Sequence, residues 1–169
     1  MWWHRLCVAA LLTATASSLA ACNVQPLYGS TEHGSRLGAV MEGVEIAPIP
    51  GRVGQKLRNE LIFTTTGGGA PGPRAYKLDI VVKENVVKEL VKISGDATSE
   101  VYELNANFKL MDKSGNVVLQ GKAVSRAAYQ RFQTIFSNVR AQYDAQDRAA
   151  RTVAESIRIR IAAFLAQAA

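Results

Sequence analysis

The chain has 169 residues and a mass of 18.3 kDa, with 20 Lys+Arg against 14 Asp+Glu for a formal charge of +6. At about 100 to 200 residues per domain it holds one domain, and 48% hydrophobic with 20% charged residues excludes the disordered, collagenous and disulfide-dense classes. Two Cys (Cys7, Cys22) and two His (His4, His33) leave little material for metal sites or nucleophilic chemistry.

Met1 to Arg5 is a short start with one fixed positive charge, Leu6 to Ala16 is mostly apolar, and Ser17 to Ala21 is small and polar-tolerant. That is the layout of a secretory signal peptide, and its apolar run is shorter than the roughly 20 residues a spanning helix needs. Its end, Leu19-Ala20-Ala21-Cys22, resembles the lipobox of bacterial lipoproteins. The resemblance implies cleavage before Cys22 and acylation of that residue, so that several acyl chains anchor the protein to the membrane without spanning it. Asn23 stands where an Asp is associated with inner-membrane retention, which resembles an outer-membrane address. Processing of this kind leaves no free Cys and no disulfide in the oxidising envelope. The expected organisation is residues 1–21 signal peptide, 22–43 lipidated tether and 44–169 a single domain.

Gly29, Gly34, Gly38 and Gly43 among short polar residues mark residues 23–43 as a tether instead of packed structure. Val44 to Ile46 alternates before Pro48 and Pro50, a short strand near a sheet edge. Val53, Leu57 and Leu61 have the spacing of one helix face to about Thr65, although Gly54 costs that helix about 1 kcal/mol relative to Ala. Residues 67–73 are a glycine-proline loop. Tyr76, Leu78, Ile80 and Val82 alternate as a strand that continues past Glu84-Asn85 through a bulge, and Ser94-Gly95-Asp96 turns the chain. Tyr102 to Leu110 is the cleanest alternation, Asp112 to Asn116 closes a second hairpin, and Val117 to about Tyr129 is the next strand. Residues 131–143 read as an irregular connection. From Asp144, Ala149, Val153, Ile157, Ile161, Phe164 and Ala168 form one stripe, with Asp144-Arg148 and Asp147-Arg151 as i,i+4 pairs. The expected fold is a two-layer α/β sandwich: a four-stranded mixed sheet, mostly antiparallel, with two helices on one face and the first strand parallel to a neighbour.

Gly67, Gly69 and Gly72 match the dinucleotide spacing, but they follow a helix, enclose Pro71 and precede a strand, so backbone amides are not presented to a pyrophosphate. There is no P-loop, HExxH or G-x-S-x-G element. His33 falls in the tether, and the carboxylate pairs Glu100/Glu103 and Asp144/Asp147 are explained by strand edges and a helix start. These residues predict no catalysis, no cofactor and no metal. The positive charge points to acidic lipids and lipopolysaccharide as envelope neighbours, not to nucleic acid. Lys83, Lys88 and Lys92 lie near the first hairpin, and Lys109, Lys113, Lys122 and Arg126 near the second; a phosphate-bearing glycolipid or plain solubility explains such a pattern.

Cys22-Asn23-Val24-Gln25-Pro26-Leu27-Tyr28-Gly29 resembles the mature start of the LPS-assembly lipoproteins (LptE family), where a lipidated Cys precedes a Pro-Leu-Tyr-Gly-like segment. Asp144 to Ala150 leading into Ile157-Arg158-Ile159-Arg160-Ile161 is similar to the family's last helix, and the order of elements between agrees. Asn23 departs from the Gly common in the family. The resemblance implies a non-enzymatic outer-membrane lipoprotein, facing the periplasm. It would plug and assist assembly of the LPS-translocon β-barrel LptD and help insert lipopolysaccharide into the outer leaflet. Cys22 is then the lipidation site, and Lys83, Lys88, Lys92, Lys122 and Arg126 are the candidate lipopolysaccharide contacts. An auxiliary lipoprotein of a phospholipid ABC-type transporter is the alternative.

Overall fold

The computed structural model describes residues 32–70, 72–91 and 97–168. Their order is α1 (Glu32–Glu42), β1 (Val44–Ile46), α2 (Arg52–Thr66), β2 (Tyr76–Val91), β3 (Ala97–Met111), β4 (Val117–Gln130) and α3 (Ile135–Ala168). The strands form one sheet in chain order, β1 parallel to β2 and the other pairs antiparallel. This is the expected mixed sheet, with the expected parallel first strand.

Among the described residues there are three helices, not two. The tether reading does not hold for residues 32–42: α1 forms despite Gly34 and Gly38 because Leu37 and Met41, one turn apart, are buried in the core, and helix stability in proteins comes chiefly from such packing. Its end is stitched to the chain entering β2, where the Gly72 and Ala75 amides donate to the carbonyls of Glu42 and Gly43 at 3.1 and 2.9 Å.

Helix α2 buries Val53, Leu57 and Leu61 as its spacing predicts. Gly54 is explained by close approach: a Cβ there would lie 2.7 Å from Ile49 Cγ2, so the strand-to-helix connection can lie against the helix only if this position is bare. The β2–β3 ladder runs unbroken through Glu84 and Asn85, and the irregularity falls later, between Lys88 and Val91. Glu84 stays in phase because it has a partner on its own face, described below. The turn expected at Ser94 to Asp96 lies outside the described residues.

The third correction concerns α3, which starts at Ile135 instead of Asp144 and runs 34 residues, about 50 Å. It lies across β3 and β4 and packs on α2. Ala145, Ala149, Ala150, Ala154 and Ala162 bring its backbone close to the sheet, with Val153, Ile157, Ile161 and Leu165 filling the layer between. From the sheet, Tyr102, Leu104, Ala106, Phe108 and Leu110 of β3 meet them. Gly121, paired with Phe108 across the strands, leaves room for that ring: a Cβ would sit 2.8 Å from Phe108 Cζ.

Candidate functional site

Among the described residues the helices cover one face of the sheet and leave the other open. Period-two alternation assigns that open face to Asp79, Val81 and Lys83 of β2, Glu103, Asn105, Asn107 and Lys109 of β3, and Gln120, Lys122, Val124 and Arg126 of β4. The register sets them in rows: Asp79–Lys109–Gln120, then Val81–Asn107–Lys122, Lys83–Asn105–Val124 and Asn85–Glu103–Arg126. A shallow depression of about 640 Å³ lies over the first two rows.

The predicted cations are divided by this geometry. Lys83 and Lys122 share the open face in adjacent rows, with Lys109 beside them, and neither forms an ion pair among the described residues. Arg126 is on the same face but its Nε lies 2.8 Å from the directly opposed Glu103 carboxylate, so its charge is largely answered within the sheet. Lys88 is on the opposite side of β2, and Lys92 lies outside the described residues, as does Cys22. Polar rows with two or three unanswered ammonium groups can hold phosphates and present hydrogen-bonding side chains to a partner; they offer no nucleophile with its base. Among the described residues no group of three His, Cys, Asp or Glu side chains could hold a metal ion.

Sequence reasoning missed a polar network at the far end of the helix-covered face. Buried Tyr102 donates its hydroxyl to Glu84 Oε2 at 2.7 Å, and Tyr129 donates to Glu100 Oε2 at 2.6 Å, with Arg131 Nη1 3.5 Å from the other Glu100 oxygen. Burial, with the neighbouring carboxylate, pushes the Tyr102 hydroxyl far above its ordinary value of 10.0; the same causes push Tyr129 up to about 12. The uninterrupted alternation from Tyr76 to Glu84, read strictly, places Glu84 on this face. A second feature joins α2 to α3: Arg52 donates to Asp147 at 2.9 Å and to the Tyr143 carbonyl at 3.2 Å, and its guanidinium lies 4.1 Å from the centre of the Tyr143 ring. Asp147 thus pairs across helices rather than with Arg151.

The described residues thus form a four-stranded sheet with one helical layer and one open polar face. The profile of LptE, a lipopolysaccharide-assembly family, matches residues 41–161. The chain belongs to the LptE family. Among solved structures it is similar in fold to a protein described as a lipoprotein from Caulobacter crescentus, with a TM-score of 0.65, 24% identity and coverage of 78% of this chain and 97% of that one. It is similar also to a minor lipoprotein from Acinetobacter baumannii, with a TM-score of 0.55 at 19% identity over 72% of this chain and 92% of the other. Among curated proteins none matches it significantly in sequence.

Proposed function

We propose that this protein is an outer-membrane lipoprotein, acylated on Cys22 after removal of residues 1–21 and facing the periplasm, that plugs the LptD-type barrel of the lipopolysaccharide translocon. In that position it assists assembly of the barrel and helps insert lipopolysaccharide into the outer leaflet, without catalysing a reaction. The match to the LptE family over residues 41–161 is the observation that carries the reading. The open face supports it: a barrel lumen is polar, and a sheet face of Asn, Gln, Asp and Lys side chains loses less by entering one than an apolar face would.

On this reading the Lys83 and Lys122 ammonium groups meet the lipid A phosphates, with Arg126, Lys88 and Lys92 contributing more weakly or from other sides. Purification of the tagged chain from detergent-solubilised outer membranes tests it. A stoichiometric large β-barrel supports the plug; an inner-membrane transporter, or the chain alone, overturns it. Cys22→Ser must abolish acylation, read as the loss of lipid mass from the purified protein. Lys83→Glu with Lys122→Glu must leave the barrel bound while surface lipopolysaccharide falls severalfold.

A further inference from the structure

The first turns of α3 carry an exposed apolar stripe. Ile135 and Phe136 are 83% and 77% exposed, and Val139 and Tyr143 39% and 43%, whereas the polar Ser137 and Asn138 between them are partly buried. At 100° per residue, the four apolar positions fall within about 100° of the helix, the same sector that buries Val153, Ala154, Ile157 and Ile161 further along, and they stand exposed because this end of α3 overhangs the strands: Arg148 is already level with Ala128, near the end of β4. Phe132, half exposed, extends the stripe beyond the helix end.

This is a built end, not a frayed one. The Phe132 amide donates to Asn138 Oδ1 and the Asn138 side-chain amide donates back to the Phe132 carbonyl at 2.8 Å, while Thr134 Oγ1 donates to Ser137 Oγ at 2.7 Å. The polar side chains are used to close the helix start, which fixes the apolar ones in place beyond the end of β4. A stripe this apolar on a protein surface marks a contact with something. The charge around it says what kind: residues 131–143 contain no Asp or Glu, and although Arg131 is paired with Glu100, Arg140 has no ion pair among the described residues.

We propose that the start of α3 docks on an anionic phospholipid bilayer. Phe132, Ile135, Phe136 and Val139 enter the boundary between headgroups and acyl chains, Tyr143 lies at headgroup level, and Arg140 meets a lipid phosphate. The surface is separate from the open sheet face and needs no protein partner, so it stands or falls independently of the plug reading. It orients the body, because the β3–β4 turn at Ser114 lies at the other end of β4 and points away from the bilayer.

The test places a fluorophore by Ile135→Cys on the full chain, purified from membranes and reconstituted in vesicles of phosphatidylglycerol and phosphatidylcholine with nitroxide-labelled acyl chains. The same fluorophore at Val117→Cys, the far end of β4, is the reference; any lipid anchor is common to both, so the difference between the positions reads the patch. Quenching is expected to be severalfold stronger at 135 than at 117, weaker in pure phosphatidylcholine, and reduced to the reference level by Phe136→Asp with Arg140→Glu. Both substitutions are at exposed positions, and unchanged circular dichroism and Tm verify folding. Equal quenching at 135 and 117 overturns the proposal. So does quenching at 135 that appears only when lipopolysaccharide is added.

Discussion

Arg160 reaches from α3 to the outer edge of the sheet, where its Nη1 donates to the Lys122 carbonyl at 2.7 Å; six residues further along β4, Arg148 Nη2 donates to the Ala128 carbonyl at 2.9 Å. Among the described residues strand β4 has a neighbour only on one side, and an unpaired row of amides and carbonyls is a template for another strand. The two arginines occupy acceptors that an incoming strand would need. Arg148→Ala or Arg160→Ala alone is expected to cost about 1 kcal/mol of stability. The double variant is expected to self-associate through β4, read by sedimentation velocity as a concentration-dependent dimer; a strict monomer would show that the edge is guarded by other means.

The two tyrosine–glutamate pairs predict alkaline lability. A hydroxyl whose pKa is raised in the folded protein keeps its proton while the unfolded chain ionises, so the unfolded state binds fewer protons and stability falls as pH rises from about 10 towards about 12. Tyr129→Phe removes that contribution together with the hydrogen bond. At neutral pH it is expected to cost about 1 to 2 kcal/mol, and urea titrations between pH 9 and 12, set against the parent, are expected to show a shallower loss. Identical slopes would mean that Tyr129 ionises freely in the folded protein.

Gly121→Ala places a methyl against the Phe108 ring in a filled layer. Overpacking of this kind costs about 1 to 3 kcal/mol. Phe108→Leu loses ring contacts but removes the clash, so the double variant is expected to be less destabilised than the sum of the singles. Additivity in thermal melts would show that the backbone absorbs the methyl elsewhere.

The Arg52 bridge separates two readings of Asp147. A double-mutant cycle between Arg52→Ala and Asp147→Ala is expected to give about 0.5 to 1 kcal/mol of coupling, the scale of a part-exposed ion pair with good geometry. The cycle between Asp147→Ala and Arg151→Ala is expected to give none. The reverse result would restore the i,i+4 pairing.

Period-two alternation made the meander legible: Tyr102 to Leu110 reads without ambiguity because each second residue is apolar, and the register puts the same residues in the core. The parallel pairing of Val44 to Ile46 followed from a helix standing between two strands. What could not be read were elements whose pattern depends on neighbours. Helix α1 has two glycines, buries Leu37 and Met41, and is held by contacts with α2 and α3 that no local window contains. The start of α3 was hidden for another reason: its apolar residues have helical spacing and share a sector with Val153, Ile157 and Ile161, but Gln146 and Asp147 fall between the two sets and interrupt the stripe. The cations were visible as residues; their separation into Lys83 and Lys122 on one face and Lys88 on the other needed the register.

The three-residue β1 has a consequence for how the chain matures. Its partner in the sheet, Tyr76 to Leu78, follows it by some thirty residues, with α2 and a glycine-proline loop between. Strands β2 to β4 and α3, by contrast, are consecutive. A chain that emerges amino end first therefore exposes β1 until β2 follows, and α2 until α3, on which it chiefly packs, is made. Keeping the waiting strand to three residues limits what it can mispair with in that interval.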